Sequence, residues 1–300
     1  MTARPPAGRG PGQVSPRLAA LLAIPAHRRS HGQLDGDWAA VFPGRSHDFD
    51  DLRPYVEGDD VRDIDWSATA RNPVPLVKRY VARRDQTVLF LVPTGAELAA
   101  AGVGGEPKLV AARLVVEVLA GVAEARGDRV ALVAGRPDAL TVLPARRGAA
   151  HRARVVSSLT AAIDDPPVDV GTVLERAARY QRRRAVVVVV ADDVDVDAGL
   201  QQAVRRLAIR HDVLWVTISD VDPTGVEGTL GALGGPRLLP VRARRAARVR
   251  AAHLAADRER RRRAVSLLRR NGVSVGRVDG PHGVMAGLHA LVREHARARG

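Results

Sequence analysis

Four nearly continuous apolar runs rich in β-branched residues constrain this chain more than any other feature. They are TVLFLV (87–92), RVALVA (129–134), AVVVVVA (185–191) and DVLWVTIS (212–219). A strand with one wet face alternates apolar and polar residues, whereas a strand without that alternation must be covered on both faces. Between and around these runs lie segments of helical periodicity. KLVAARLVVEVLAGVAEAR (108–126) ends at Gly127, and GAAHRARVVSSLTAAI (148–163), TVLERAARYQRR (172–183) and AGLQQAVRRLAIR (198–210) follow it. LTVLP (140–144) reads as a shorter strand, and VSVGRV (273–278) and GVMAGLHALVREHARAR (283–299) as a last strand and helix. The alternation predicts an α/β fold: a doubly wound, mostly parallel, Rossmann-like sheet with helices on both faces.

Four segments are expected. Residues 1–16, rich in Pro and Gly, read as a disordered lead-in. Residues 17–84 open with the short apolar helix RLAALLAI (17–24), stopped by Pro25, and continue as a small strand-rich appendage. Ile64, Trp66 and Ala68 alternate with Asp63, Asp65 and Ser67, which predicts a half-buried strand with Trp66 facing inward. PLVKRYVA (75–82) reads as a second strand. Residues 85–241 form the main α/β domain. Residues 242–300 hold a long arginine-rich helix ending before Asn271, with the last strand and helix, and are expected to pack on that same domain.

Composition narrows the chemistry. The chain has no cysteine, so thiolate nucleophiles, disulfides and cysteine-ligated zinc are excluded. No apolar run approaches the roughly 18 residues of a membrane span, and the first residues lack the order of a signal peptide. A cytoplasmic location is expected. The net charge of +14 would suit a nucleic-acid binder, but only Lys78 and Lys108 are lysines among 47 basic residues. So strong an arginine skew points to codon bias. The charge is also unevenly placed: residues 242–270 hold twelve arginines against Asp257 and Glu259, while residues 48–65 hold eight acids against Arg53 and Arg62.

Ligands of an open α/β sheet gather at the carboxyl ends of its strands. Three such ends carry polar groups: VPTGAEL (92–98), ADDVDVD (191–197) and SDVDP (219–223). Carboxylates and hydroxyls there would suit a hard cation. The plainer reading makes Asp195 and Asp197 the caps of the following helix, while Asp192 stands a turn too early for that role. There is no P-loop, no G-x-S-x-G elbow and no pair of histidines four apart on a helix. GVGGEP (102–107) lacks the lysine and hydroxyl of a nucleotide cradle and reads as a surface loop.

The densest charge lies in GDDVRDIDWSATAR (58–71). Asp59 and Asp60 follow Gly58 at a turn, where aspartate accepts from nearby backbone amides. Arg53, Arg62 and Arg71 are near enough in sequence to pair with Glu57, Asp63 and Asp65. A catalytic dyad needs two carboxylates in contrasting environments, and the block reads instead as a self-paired charged element that shapes a surface.

The stretches GRSHDFDDLRPYVEGDDVRDIDWSATAR (44–71) and VKRYVARRDQTVLFLV (77–92) resemble the signature of the domain-of-unknown-function 58 family. The candidate docking and family-motif residues in these stretches are Arg53, Tyr55, Gly58, Asp59, Asp60, Arg62, Asp63, Asp65, Trp66 and Arg71. Weaker likeness continues through GDRVALV (127–133), the strand end at Asp192 and RRLAIRHDVLWVTISD (205–220). The resemblance implies a von Willebrand factor A-like domain and, as partner, a MoxR-type AAA ATPase. It also implies a divalent-cation site of pattern D-x-S-x-S at the end of the first central strand, with Thr172 and Asp192 at the other ligand positions. This chain departs from that pattern. Pro93 replaces the leading aspartate, Thr94 and Gly95 follow, and Glu97 replaces the later serine. The site is therefore expected to be degenerate, and neither magnesium nor another cofactor is expected.

The resulting expectation is a non-enzymatic interaction or adaptor module with no small-molecule substrate. Two other classes remain open on sequence grounds. One is a metal-dependent hydrolase using the carboxylates of Asp59 to Asp65. The other is a nucleic-acid binder working through the arginine helix, although three Phe, three Tyr and three Trp offer few rings for base stacking.

Overall fold

A computed structural model of the protein describes residues 34, 36, 38, 49–56, 61, 64–80, 86–162, 165–224 and 246–299. The chain divides into two compact units, residues 42–86 and a larger unit of residues 1–41 and 87–300.

In the small unit, β1 (Phe49–Pro54) and β2 (Leu76–Tyr80) form an antiparallel pair. Residues 64–68 do not make the expected strand. Ile64 contributes one isolated bridge to Val77, and α1 (Trp66–Thr69) begins at once. The cause is Asp65, whose Oδ1 accepts from the Ala68 amide at 3.0 Å and caps the helix. The period-two pattern lost to a four-residue capping signal, D-W-S-A. Thr69 Oγ1 then accepts from the Leu76 amide at 3.0 Å and ties the turn to β2. Trp66 consequently faces water at 64 % exposure, which corrects the inward orientation expected from the sequence.

In the large unit, six strands lie in the order β5-β4-β3-β6-β7-β8. They are β3 (Thr87–Pro93), β4 (Arg129–Arg136), β5 (Ala139–Arg146), β6 (Val186–Ala191), β7 (Asp212–Ile218) and β8 (Ser274–Val278). All neighbours run parallel except β4 and β5, which form an antiparallel edge. Every residue of β6, and all of β3 after Thr87, is buried, as strands covered on both faces require. The fold is a doubly wound, mostly parallel α/β sheet.

Alternate side chains of β3 feed two helical layers. Leu89 and Leu91, with Val187, Val189 and Trp215, pack against Leu174 of α5 (Val170–Tyr180), Leu207 of α6 (Ala198–Arg210) and Leu267 of α7 (Ala247–Arg270). The other face is covered by α3 (Lys108–Ala125) and α8 (Val284–Arg299), which contact each other as well as the sheet. The remaining helices are short α2 (Ala96–Ala99) and α4 (Ala149–Ser157). Helix α4 stops well before the expected residue 163, and α5 starts two residues earlier than expected because Asp169 caps it. Among the described residues no helix is long and apolar enough to cross a membrane.

The chain leaves β3 toward β4 on one side and returns through β6 on the other. The crevice between the carboxyl ends of β3 and β6 is therefore the switch point at which such sheets bind ligands.

Candidate functional site

A cleft of about 500 Å3 opens at that switch point, lined by Pro93, Glu97, Asp169, Asp192, Asp193 and Asp195 among others. The sequence placed Pro93, Gly95, Glu97, Thr172 and Asp192 here, and the structure does bring their segments to the same end of the sheet. What each residue does there differs from a cation site.

Gly95 is required by close approach. A Cβ at this position would stand 2.5 Å from Val168 Cγ2 and 2.9 Å from the Pro166 carbonyl. Glu97 pins the same loop, its Oε1 accepting from the Val168 amide at 2.9 Å. Thr172 Oγ1 donates to Asp169 Oδ2 at 2.5 Å, and Asp169 Oδ1 accepts from the Thr172 amide at 3.4 Å, so the pair closes the start of α5. Asp197 caps α6 in the same way, accepting from the Leu200 amide at 2.7 Å. Asp195 is exposed at the mouth.

The centre of the site is a residue that the sequence reading did not assign. Lys108, the first residue of α3, is 1 % exposed and sends its ammonium across the strand ends. Its Nζ donates to Asp192 Oδ2 at 2.6 Å and also to Asp220 Oδ1 at the end of β7. Asp192 Oδ1 is further held by the Asp193 amide at 2.7 Å. Burial pushes the Asp192 carboxyl up, Lys108 pulls it down and Asp220 pushes it up again, for a pKa of about 6.

The loop 102–107 is a surface element as expected, with Val103, Gly104, Gly105 and Pro107 exposed, and through Gly102 it also lies against this lysine. Gly102 bridges Asp220, Val103 donates its amide to the Ser219 carbonyl at 3.3 Å, and Lys108 donates its own amide to Ala100 O at 2.9 Å. A Cβ on Gly102 would stand 2.9 Å from Lys108 Cγ, so glycine lets the loop lie against the lysine stem. One signal for Lys108 was present in the sequence. Where arginine supplies nearly every positive charge, a surviving lysine marks a place that wants a compact ammonium on a thin stem, not a planar fork.

A second ionic layer continues outward. Asp193, nearly buried, accepts from Arg277 Nη1 at 3.3 Å and from Arg261 Nε at 3.4 Å. Arg261 also pairs with Asp257 at 2.6 Å, and Asp279 accepts from Ser219 Oγ and from Arg277 Nε at 3.3 Å. Helix α7 is thus tied to the ends of β6 and β8 by charge.

The divalent cation of the fold does not fit this donor set. Pro93 offers no side-chain oxygen, the Thr172 hydroxyl is committed to Asp169, and the Asp192 carboxylate already faces a buried ammonium. Among the described residues no group of three or more His, Asp or Glu is disposed to hold a metal ion.

The charged block of the small unit is only partly within the described residues: Gly58, Asp59, Asp60, Arg62 and Asp63, with Glu57, lie outside them. Of the rest, Asp65 is the cap of α1, Tyr55 donates its amide to Pro75 O at 2.8 Å, and Arg53 donates Nη1 to Pro54 O at 3.3 Å. Arg71, expected beside an acid, instead donates Nε to the Ser67 carbonyl at 3.3 Å.

The model of the family described as protein of unknown function DUF58 matches residues 51–267. The chain belongs to that family. Uncharacterised proteins of Mycobacterium bovis and of Mycobacterium tuberculosis are each 29 % identical to it over 220 residues, covering 71 % of this chain and 68 % of theirs. The DUF58 match begins within β1 and ends in α7, so the small unit from residue 51 onward and the residues of the crevice fall within one family region. Among solved structures, an aerotolerance-related membrane protein from Bacteroides fragilis aligns over 70 % of this chain and 99 % of its own at 14 % identity, with a TM-score of 0.45. A von Willebrand factor type A protein from Catenulispora acidiphila aligns over 73 % of this chain and 43 % of its own, also at 14 % identity, with a TM-score of 0.40.

Proposed function

We propose that this DUF58 protein is a non-enzymatic interaction module of von Willebrand factor A type that works with a MoxR-type AAA ATPase. The observation that carries the reading is Lys108 between Asp192 and Asp220. A positive charge fixed covalently to the chain sits among carboxylates at the switch point. It supplies the order that a bound ion would give, but it has no open coordination position for a substrate oxygen. Ser219 Oγ, at the end of β7, donates to Asp279 and so belongs to the ionic layer that holds the strand ends together.

The small unit supports the same reading. It exposes Val56, Val61, Trp66 and Val74. Exposed apolar side chains set in an acidic segment suit protein contact, and tryptophan is among the commonest anchors of interfaces. The test is co-purification. The full chain, tagged and expressed with a MoxR-type ATPase from the same genome, is expected to retain the ATPase through gel filtration. Separate elution at micromolar concentrations of both would refute the reading.

A further inference from the structure

The arginines of α7 are not equivalent. Arg260 and Arg261 are paired with Asp257, Arg263 with Glu259 at 2.9 Å, and Arg269 with Glu294 at 2.8 Å. Arg262 and Arg270 have no carboxylate partner among the described residues, and neither has Arg205 on the neighbouring α6. These three exposed guanidinium groups converge on one groove of about 600 Å3 between α6 and α7. Leu267, nearly buried, and Val196, exposed, give it apolar lining, and Gln201 and Ser266 add neutral polar groups.

We infer that this groove is a docking site for an acidic amphipathic helix of a protein partner. Helices α6 and α7 both pack on the same face of the sheet, and the groove between them follows α7 from Glu259 to Arg270 and meets α6 at Gln201 and Arg205. Arg262 and Arg270 stand eight residues apart on α7, about 12 Å along its axis. Carboxylates two turns apart on a docked helix repeat at that spacing, and an apolar residue between them would meet Leu267. Guanidinium forks donate to carboxylates in bidentate fashion.

Nucleic acid fits the groove less well. No aromatic side chain lines it for base stacking. The inference takes from the interaction-module reading only that the ligand is a protein.

The test uses the full chain and three labelled probes at low salt, read by fluorescence anisotropy. One is an 18-residue helical peptide of Glu, Leu and Ala with its glutamates on one stripe. The second has the same charge with serine in place of leucine, and the third is a short DNA duplex. The wild type is expected to bind the leucine peptide most tightly. Arg205→Gln/Arg262→Gln/Arg270→Gln should weaken it at least about tenfold, near 1.4 kcal/mol. Arg248→Gln/Arg258→Gln/Arg297→Gln removes equal charge outside the groove and should change affinity less than twofold. Both triples alter exposed side chains, and unchanged melting curves verify the fold. Equal loss in the two triples, tighter binding of the duplex through the groove arginines, or no binding of the leucine peptide would each overturn the inference. Because the probe is a peptide, a failure to capture the ATPase leaves this result standing, and an inert groove leaves the ATPase result standing.

Discussion

Lys108 Nζ and Asp192 Oδ2 are 2.6 Å apart at the switch point of the sheet, although 84 residues separate them in the chain. The pair joins the start of α3 to the end of β6 and, through Asp220, to the end of β7. Removing one side of such a pair leaves an uncompensated charge where water is scarce. Lys108→Met is therefore expected to lower unfolding free energy by about 3 kcal/mol or more, measured by urea denaturation at pH 7. Lys108→Arg should not restore it, because the fork is bulkier than the ammonium it replaces and Gly102 leaves no slack over the stem. Full stability in Lys108→Met would show that the pair contributes nothing, and full stability in Lys108→Arg would show that the site admits the larger fork.

The same pair sets a pH signature. The folded pKa of Asp192, about 6, lies above its ordinary value of 3.8. A raised carboxyl contributes stability that is fully present below the unfolded pKa and is lost as pH rises through the folded one. Between about pH 4 and pH 7 the wild type should thus lose up to about 3 kcal/mol relative to Asp192→Asn. Urea midpoints of both proteins measured at half-unit pH steps check this. Parallel curves would mean that Asp192 titrates at its ordinary value in the fold.

Much of this architecture is legible in the residues, and the exceptions have physical causes. Runs such as AVVVVVA admit one reading, a strand covered on both faces, and from four of them the sheet follows. The segment 64–70 misled because Ile64, Trp66 and Ala68 fit a two-residue period, while a single side chain, Asp65, captured the Ala68 amide and turned the backbone into a helix. At the crevice the segments were identifiable and their chemistry was not. Thr172 looks like a ligand in sequence, but Asp169, three residues earlier, takes its hydroxyl as the cap of α5, and Glu97 meets the Val168 amide only through loop packing 71 residues away. Lys108 met Asp192 and Asp220 only through the topology.

Cation binding gives a third test. Wild-type protein is expected to show no micromolar magnesium or manganese binding by calorimetry. Pro93→Asp/Glu97→Ser alone should also fail, because the Lys108 ammonium still occupies the carboxylate that the ion needs. Adding Lys108→Ala to that pair frees Asp192 and Asp220, and weak binding should then emerge. Binding by the double variant with Lys108 intact would show that the lysine is no obstacle.

The last prediction concerns the small unit. Residues 48–65 carry eight acids against two arginines, and beside them Trp66 is 64 % exposed. An exposed side chain that fills no core contributes little to stability, so Trp66→Ala should move the melting temperature by no more than a degree or two, about 0.5 kcal/mol. If the face is a docking surface and the ring is its anchor, the same change should raise the off-rate from the ATPase at least about tenfold. Asp59→Asn/Asp60→Asn should act on the other rate. Charges at an interface rim steer encounter, so on the docking reading this pair should lower the on-rate several-fold at low salt, and the difference should fade as salt is raised. Surface plasmon resonance at two salt concentrations separates the two effects. Unchanged rates in both variants, with a lowered melting temperature, would assign the acidic block to holding its own unit together and would remove it from any interface.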